Sequence, residues 1–319
     1  MNEERRTSSQ FISAHQCSSV ACAVAVALIA FPSSALAHPG APIEPHDLWG
    51  AWSFEPFIVA SLVLCAIAYA RGVRAMRRRS GTTRGLATWR VHAYAASLVT
   101  LAIALLSPID ALGGATFAGH MVQHLLLTMI AAPLFVAGDP GTAMLWALPI
   151  GARRRLGRAW RRAHTLRAAW HALSHPITAW ALHFVALVAW HVPSLYELAV
   201  RDDGVHALEH ASFFGTALLF WWVALAPRVR HRIGAGPAIL YLFTSALAST
   251  ILGALITMAS HPWYVVHARS ALAWGMTALE DQQLAGLIMW VPAGLVYVGV
   301  AMWLGVRLLA GGERLVRDA

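Results

Sequence analysis

The stretch "HMVQHLLLTMIAAPLFVAGDP" (residues 120–140) decides how this chain is read. From Leu125 to Ala137 it is apolar apart from Thr128, a composition suited to the inside of a membrane. Yet His120 and His124 stand at its mouth, four residues apart and therefore one turn apart on one helix face. The same spacing returns at His206 and His210, in "HALEH".

Composition agrees with a membrane location. Of 319 residues, 58% are hydrophobic and 12% charged, against roughly 25% charged in soluble domains. The 24 basic residues are all arginine and give a formal charge of +9. They fall in short bursts between apolar runs, where they set topology, so no nucleic-acid partner is expected.

The N-terminus has the pattern of a secretory signal: Arg5 and Arg6, an apolar run over 20–31, then Ala35-Leu36-Ala37 as a small-x-small cleavage site. Residues 1–37 are expected to be a cleavable signal peptide. The alternative is an uncleaved first helix, for which the run is short of the ~20 residues a span needs. Cleavage would remove Cys17 and Cys22 and leave Cys65 alone, so a metal would have to use His, Met or carboxylate.

Seven apolar segments follow, at about 54–70, 91–106, 119–137, 177–190, 207–224, 237–258 and 284–309. The expected fold is therefore all-α: a polytopic membrane protein with one seven-helix transmembrane domain over 38–319, preceded by a short periplasmic segment, 38–53. The fourth segment is short unless it extends beyond Pro176 or Trp190. Twenty arginines fall in the loops on one side, and only Arg201 and Arg269 on the other. That asymmetry predicts N-out/C-in, with the C-terminus in the cytoplasm. Residues 152–170, basic with Trp and Leu interleaved, should lie along the cytoplasmic leaflet and attract anionic lipid.

This topology sorts the histidines. His120, His124, His191, His206 and His210 all fall at outer span ends, at similar depth. Two i, i+4 pairs and a fifth imidazole make a candidate metal or haem site; the plainer reading has interfacial histidines bonding water and headgroups. Glu209 joins them, and Asp281 and Gln282 open the last span from the same side; these three are candidates to support the ligand imidazoles from behind. Asp281 has two readings, a helix cap or a carboxylate that orients a ligand imidazole. Met121, Met258 and Met276 near the outer level lean toward reduced copper. His38, as a new N-terminus, could chelate Cu(II) with His46.

Together "HMVQHLLLTMIAAPLFVAGDP", "WHVPSLYELAV", "HALEHASFFGTALLFWW" and "LEDQQLAGLIMWVPAGLVY" resemble the CtaG family of cytochrome c oxidase assembly factors, the type associated with caa3 oxidases. The resemblance implies a multi-pass bacterial plasma-membrane protein, not an enzyme, needed to mature a haem–copper oxidase. Its partners would be oxidase subunits and a periplasmic copper donor, and its cargo copper, as Cu(I). The five histidines and Asp281-Gln282 stand at the family's motif positions; their role as ligands is inferred from spacing and depth.

Three other functions fit parts of the pattern. "HALEH" matches the H-x-x-E-H of inverted zinc peptidases, with Glu209 as general base and Glu280 as third ligand. A bis-His site between spans could hold haem b beside a quinol pocket, making an electron carrier. Copper transport across the bilayer would need ligands at mid-depth, where His183, Ser245, Ser249, Thr250 and Cys65 form a thin supply.

Overall fold

The computed structural model describes residues 43–80, 86–225 and 234–317, and among them it is helical, without strands. The expected signal peptide, His38 and the arginines at 84, 228, 230 and 232 lie outside the described residues. In chain order the helices are α1 (Pro56–Ser80), α2 (Thr88–Leu106), α3 (Pro108–Ala115), α4 (Phe117–Ala137), α5 (Pro140–Ala147), α6 (Ile150–Arg162), α7 (His164–Leu173), α8 (Pro176–Trp190), α9 (Pro193–Arg201), α10 (Asp203–Leu225), α11 (Ala235–Thr257), α12 (Ala268–Ala273) and α13 (Ala278–Arg317).

Six of these, α1, α2, α4, α10, α11 and α13, are long and apolar enough to cross a membrane. The seventh expected span is different. α8 has 15 residues, about 22 Å of helix, short of the ~30 Å hydrocarbon core. It gains length only by joining α7, from which it is bent by 69°. The cause is local. His175 is held extended by Pro176, and Pro193 starts a new helix just past the other end. Among the described residues the seven expected spans thus stand as six long helices and one bent pair, which makes seven if the pair crosses as one span.

α10 is the central helix, with Phe214, Leu218, Phe220 and Trp221 wholly buried. The outer helices leave apolar side chains uncovered, among them Phe243, Ile251 and Leu255 on α11 and Leu295 on α13, as lipid-facing surfaces do.

α4 carries the "HMVQH" motif and is irregular where its sequence requires it. Pro133 cannot donate to the carbonyl four residues back and its ring crowds that turn, and the helix answers with a π-helical stretch, Leu126–Ala131. Neighbours take up carbonyls there: Trp221 Nε1 donates to Thr128 O at 2.8 Å and Ser97 Oγ to Ala131 O at 2.9 Å. At its C-terminal end, Tyr69 donates to Gly138 O and Arg90 to Ala137 O, and α1 crosses α5 so closely that a Cβ on Gly72 would lie 1.7 Å from Ala143 O. Arg153 stacks on Trp146 at this same end. The histidine end and the arginine end of α4 are therefore opposite ends of the bundle.

Candidate metal centre

α4 begins where Thr116 caps it, its hydroxyl accepting from Gly119 N at 3.0 Å. A second cap comes from the far end of the chain: Asp281 Oδ2 and Oδ1 accept from the backbone N–H groups of Phe117 and Ala118 at 2.8 and 2.9 Å. Asp281 is thus a helix cap, but of α4 rather than its own helix, and its hydrogen bonds go to backbone rather than to an imidazole. α13 is capped instead by Thr277, whose Oγ1 accepts from Glu280 N, while Glu280 Oε2 accepts in return from Thr277 N, a capping box. Gln282 likewise departs from the expected support of an imidazole: its Oε1 accepts from Trp263 N at 2.6 Å and fixes the loop before α12.

With α4 so anchored, His120 and His124 meet α10. Their rings lie 4.2 Å apart, centroid to centroid. His206 stacks on His120 at 5.3 Å, and His210 lies edge-on to His124 at 5.2 Å. Glu209 sits between the two α4 histidines, Oε2 at 3.4 Å from His120 Nε2 and Oε1 at 3.8 Å from His124 Nε2. His120, His124 and Glu209 each offer an atom within 4.8 Å of the other two. His191, the cap just past the C-terminal end of α8, reaches the same region, its ring 6.3 Å from that of Phe213, on which His124 also packs.

The hydrogen bonding sorts the nitrogens of these rings. His191 Nδ1 donates to Leu187 O at 2.6 Å, and His120 bonds the backbone of Gly113. Each bond commits one nitrogen and fixes the tautomer, as supports of metal-bound histidine do. Left over are the Nε2 atoms of His120, His124, His191, His206 and His210, Nδ1 of His124 and Oε2 of Glu209, all buried and without a hydrogen-bond partner. A buried polar atom left unpaired costs about 1–3 kcal/mol, and seven in one region, on residues of which His120, His124 and Glu209 bring donor atoms within 4.8 Å of one another, are difficult to reconcile with packing alone. As a donor set for a cation they fit: an ionised Glu209 beside neutral imidazoles carries one negative charge, which one positive charge would balance.

Other expected members lie elsewhere. His46 is exposed and within 3.4 Å of Glu44 and Asp47. Met258 is 82% exposed. Glu280, the third ligand of a peptidase-like site, is exposed and committed to Thr277. Although they stand at the mouth of the apolar run, His120 and His124 are closed from solvent, 1% and 6% exposed; His206 is the half-buried member.

Two residues join the site without having been singled out. Tyr196 on α9 stands edge-on to His120 at 5.1 Å, and its hydroxyl is hydrogen-bonded to His267 Nε2 at 2.8 Å. Burial, with His120 adding to it, pushes His267 down to about 3, so it is neutral. Burial raises the Tyr196 phenol far above its usual value, with Glu209 and Asp281 contributing, so it keeps its proton. Tyr196 lay within the "WHVPSLYELAV" motif and His267 among the outer histidines, but neither has a spacing signal of its own.

The model of the family described as cytochrome c oxidase caa3 assembly factor (CtaG) matches residues 67–310. The chain belongs to the CtaG family. The chain is also similar to uncharacterized proteins of Mycobacterium bovis and Mycobacterium tuberculosis, each 31% identical over 270 residues, 79% of this chain and 39% of the relative. A third, from Mycobacterium leprae, is 27% identical over the same length. The chain thus spans about two fifths of the length of the curated relatives it matches. No solved structure matches. The matched region contains every residue of the histidine cluster, from His120 to His210, and Asp281.

Proposed function

We propose that this CtaG-family chain, lying in the bacterial plasma membrane with its N-terminus outside, binds copper as cargo and helps load it into a nascent cytochrome c oxidase. The observation that carries the reading is the set of buried, unpartnered Nε2 atoms of His120, His124, His191, His206 and His210 around Glu209. Imidazole suits copper, zinc and iron alike. Two features favour Cu(I): the single carboxylate matches a single charge, and the adjoining cavity of about 40 Å³, lined by His124, His191 and Met121, holds thioethers. That volume also favours an ion over haem, since pockets for organic ligands are ~300 Å³ or more.

The site would load from the outer face through His206, the least covered ligand, taking copper from a periplasmic donor and offering it to an oxidase subunit. The arginine-rich end, with α6 and α7 carrying no acidic residue, would rest on anionic lipid of the cytoplasmic leaflet. The test is genetic. A strain lacking this protein should assemble oxidase deficient in copper, restored by the wild-type chain and not by His124→Ala made at equal level. Oxidase with full copper content in the deletion strain would overturn the proposal.

A further inference from the structure

Below the histidine cluster, toward the middle of the bundle, five helices meet around the small cavity noted above. Its walls come from α4 (Met121, Thr128, Met129), α8 (His183, Leu187), α10 (Phe213), α11 (Ser249) and α13 (Met289, Tyr297), with His124 and His191 at its upper edge. Three of the chain's nine methionines therefore surround one cavity of about 40 Å³, room for about one water or ion. Met121, Met129 and Met289 are all buried, at 4, 6 and 7% exposure.

Methionine in a core is usually a gap-filler, flexible enough to close irregular voids. Three of them lining a gap that stays open are poorly explained by that role. Thioether sulfur is, however, the neutral side-chain donor that selects Cu(I). The nearby imidazole is prepared in the same sense. His183 Nδ1 is hydrogen-bonded to Thr216 Oγ1 at 3.1 Å, and the same hydroxyl reaches Phe213 O at 3.3 Å. With the hydroxyl turned to Phe213 O, the imidazole donates from Nδ1 and keeps the free lone pair of Nε2 for a metal. The π-helical turn of α4 spans Thr128 and Met129, and such turns recur at functional positions.

We propose a second, deeper binding station for a soft monovalent cation, held by the thioethers of Met121, Met129 and Met289 with His183. The inference rests on the outer site's being a copper site, since His124 and His191 border both. A cation could then pass from the nitrogen-rich outer set to the sulfur-rich inner one by exchanging one ligand at a time. Neutral donors keep the ion's own charge as the only one introduced, a smaller desolvation burden than a divalent ion would bring.

The experiment loads the full chain in detergent with Cu(I) under strict reduction, and with Ag(I) in parallel. It measures bound metal and X-ray absorption for three proteins: wild type, Met129→Leu/Met289→Leu, and His120→Ala/His206→Ala. Met→Leu conserves volume and is tolerated in cores. Wild type should bind two equivalents with a metal–sulfur shell. The methionine variant should lose one equivalent and the sulfur shell, while the histidine variant should keep the shell and lose the other equivalent. One equivalent in wild type with nitrogen and oxygen neighbours only would overturn the inner station and leave the outer one standing. One equivalent with a sulfur shell, unaffected by the histidine variant, would instead overturn the outer site. No bound metal in wild type would overturn both.

Discussion

Glu209 on α10 lies between His120 and His124 on α4, its two carboxylate oxygens 3.4 and 3.8 Å from their Nε2 atoms, without hydrogen-bonding geometry to either. A carboxylate placed there is poised to share a third body with the two rings. Glu209→Gln keeps the shape and removes the charge. It should weaken Cu(I) binding by about 10–100-fold, the range seen when partners of metal ligands are lost, with the fold retained. Competition against a chromophoric Cu(I) chelator measures it; wild-type affinity in the variant would place the metal away from Glu209.

Asp281 ties the start of α13 to the start of α4 by capping α4. Asp281→Ala would strand two buried N–H groups and remove two charge-assisted bonds, for a loss of about 2–4 kcal/mol. Asp281→Asn, which can still accept, should lose less. Thermal unfolding in detergent distinguishes them, and equal stability of both variants and wild type would show that the cap contributes nothing.

Asp110 on α3 accepts from Gln123 Nε2 at 2.7 Å, so it helps to hold the helix between the two histidines. Burial raises its carboxyl to about 6, against the lowering effect of the Gln123 bond, with Glu55 adding to the rise. A carboxyl raised on folding binds more protons in the folded state. Its contribution to stability is thus largest at low pH and is lost as pH rises from about 4 to about 6. Asp110→Asn should remove that slope from the unfolding temperature measured between pH 4 and 7; an unchanged slope would assign it to other groups.

Tyr196→Phe removes the hydroxyl bonded to His267 and leaves His267 Nε2 buried without it. The expected cost is about 1–3 kcal/mol of stability, together with a several-fold loss of Cu(I) affinity through the looser packing on His120. A stability loss with unchanged affinity would make the pair structural only.

Much of this was legible in the sequence, because lipid solvent and helix periodicity act locally. The apolar run after His124, the arginine bursts and the i, i+4 histidines point to membrane helices bearing an imidazole cluster, and the structure brings all five predicted histidines to one region. What was not legible depends on helices far apart in the chain. Asp281 was visible as a cap, but that it caps a helix 164 residues away is a property of packing. Glu209 at the centre rather than the periphery follows from the rotation of α10 against α4, which spacing alone leaves open. The bent α7–α8 pair was hinted at by Pro176 and by the shortness of the fourth apolar run, but the size of the bend, 69°, is not given by spacing alone. Tyr196 and His267, 71 residues apart, meet only through folding.

The central claim is most directly tested by loading the purified full chain with one equivalent of Cu(I) and recording copper retention, visible spectrum and X-ray absorption beside His120→Ala/His206→Ala. Copper retained with imidazole scattering in wild type, and that imidazole shell lost in the variant, is the predicted result. Copper absent from wild type, retained with an identical shell in the variant, or replaced by a haem Soret band in protein as isolated would contradict it.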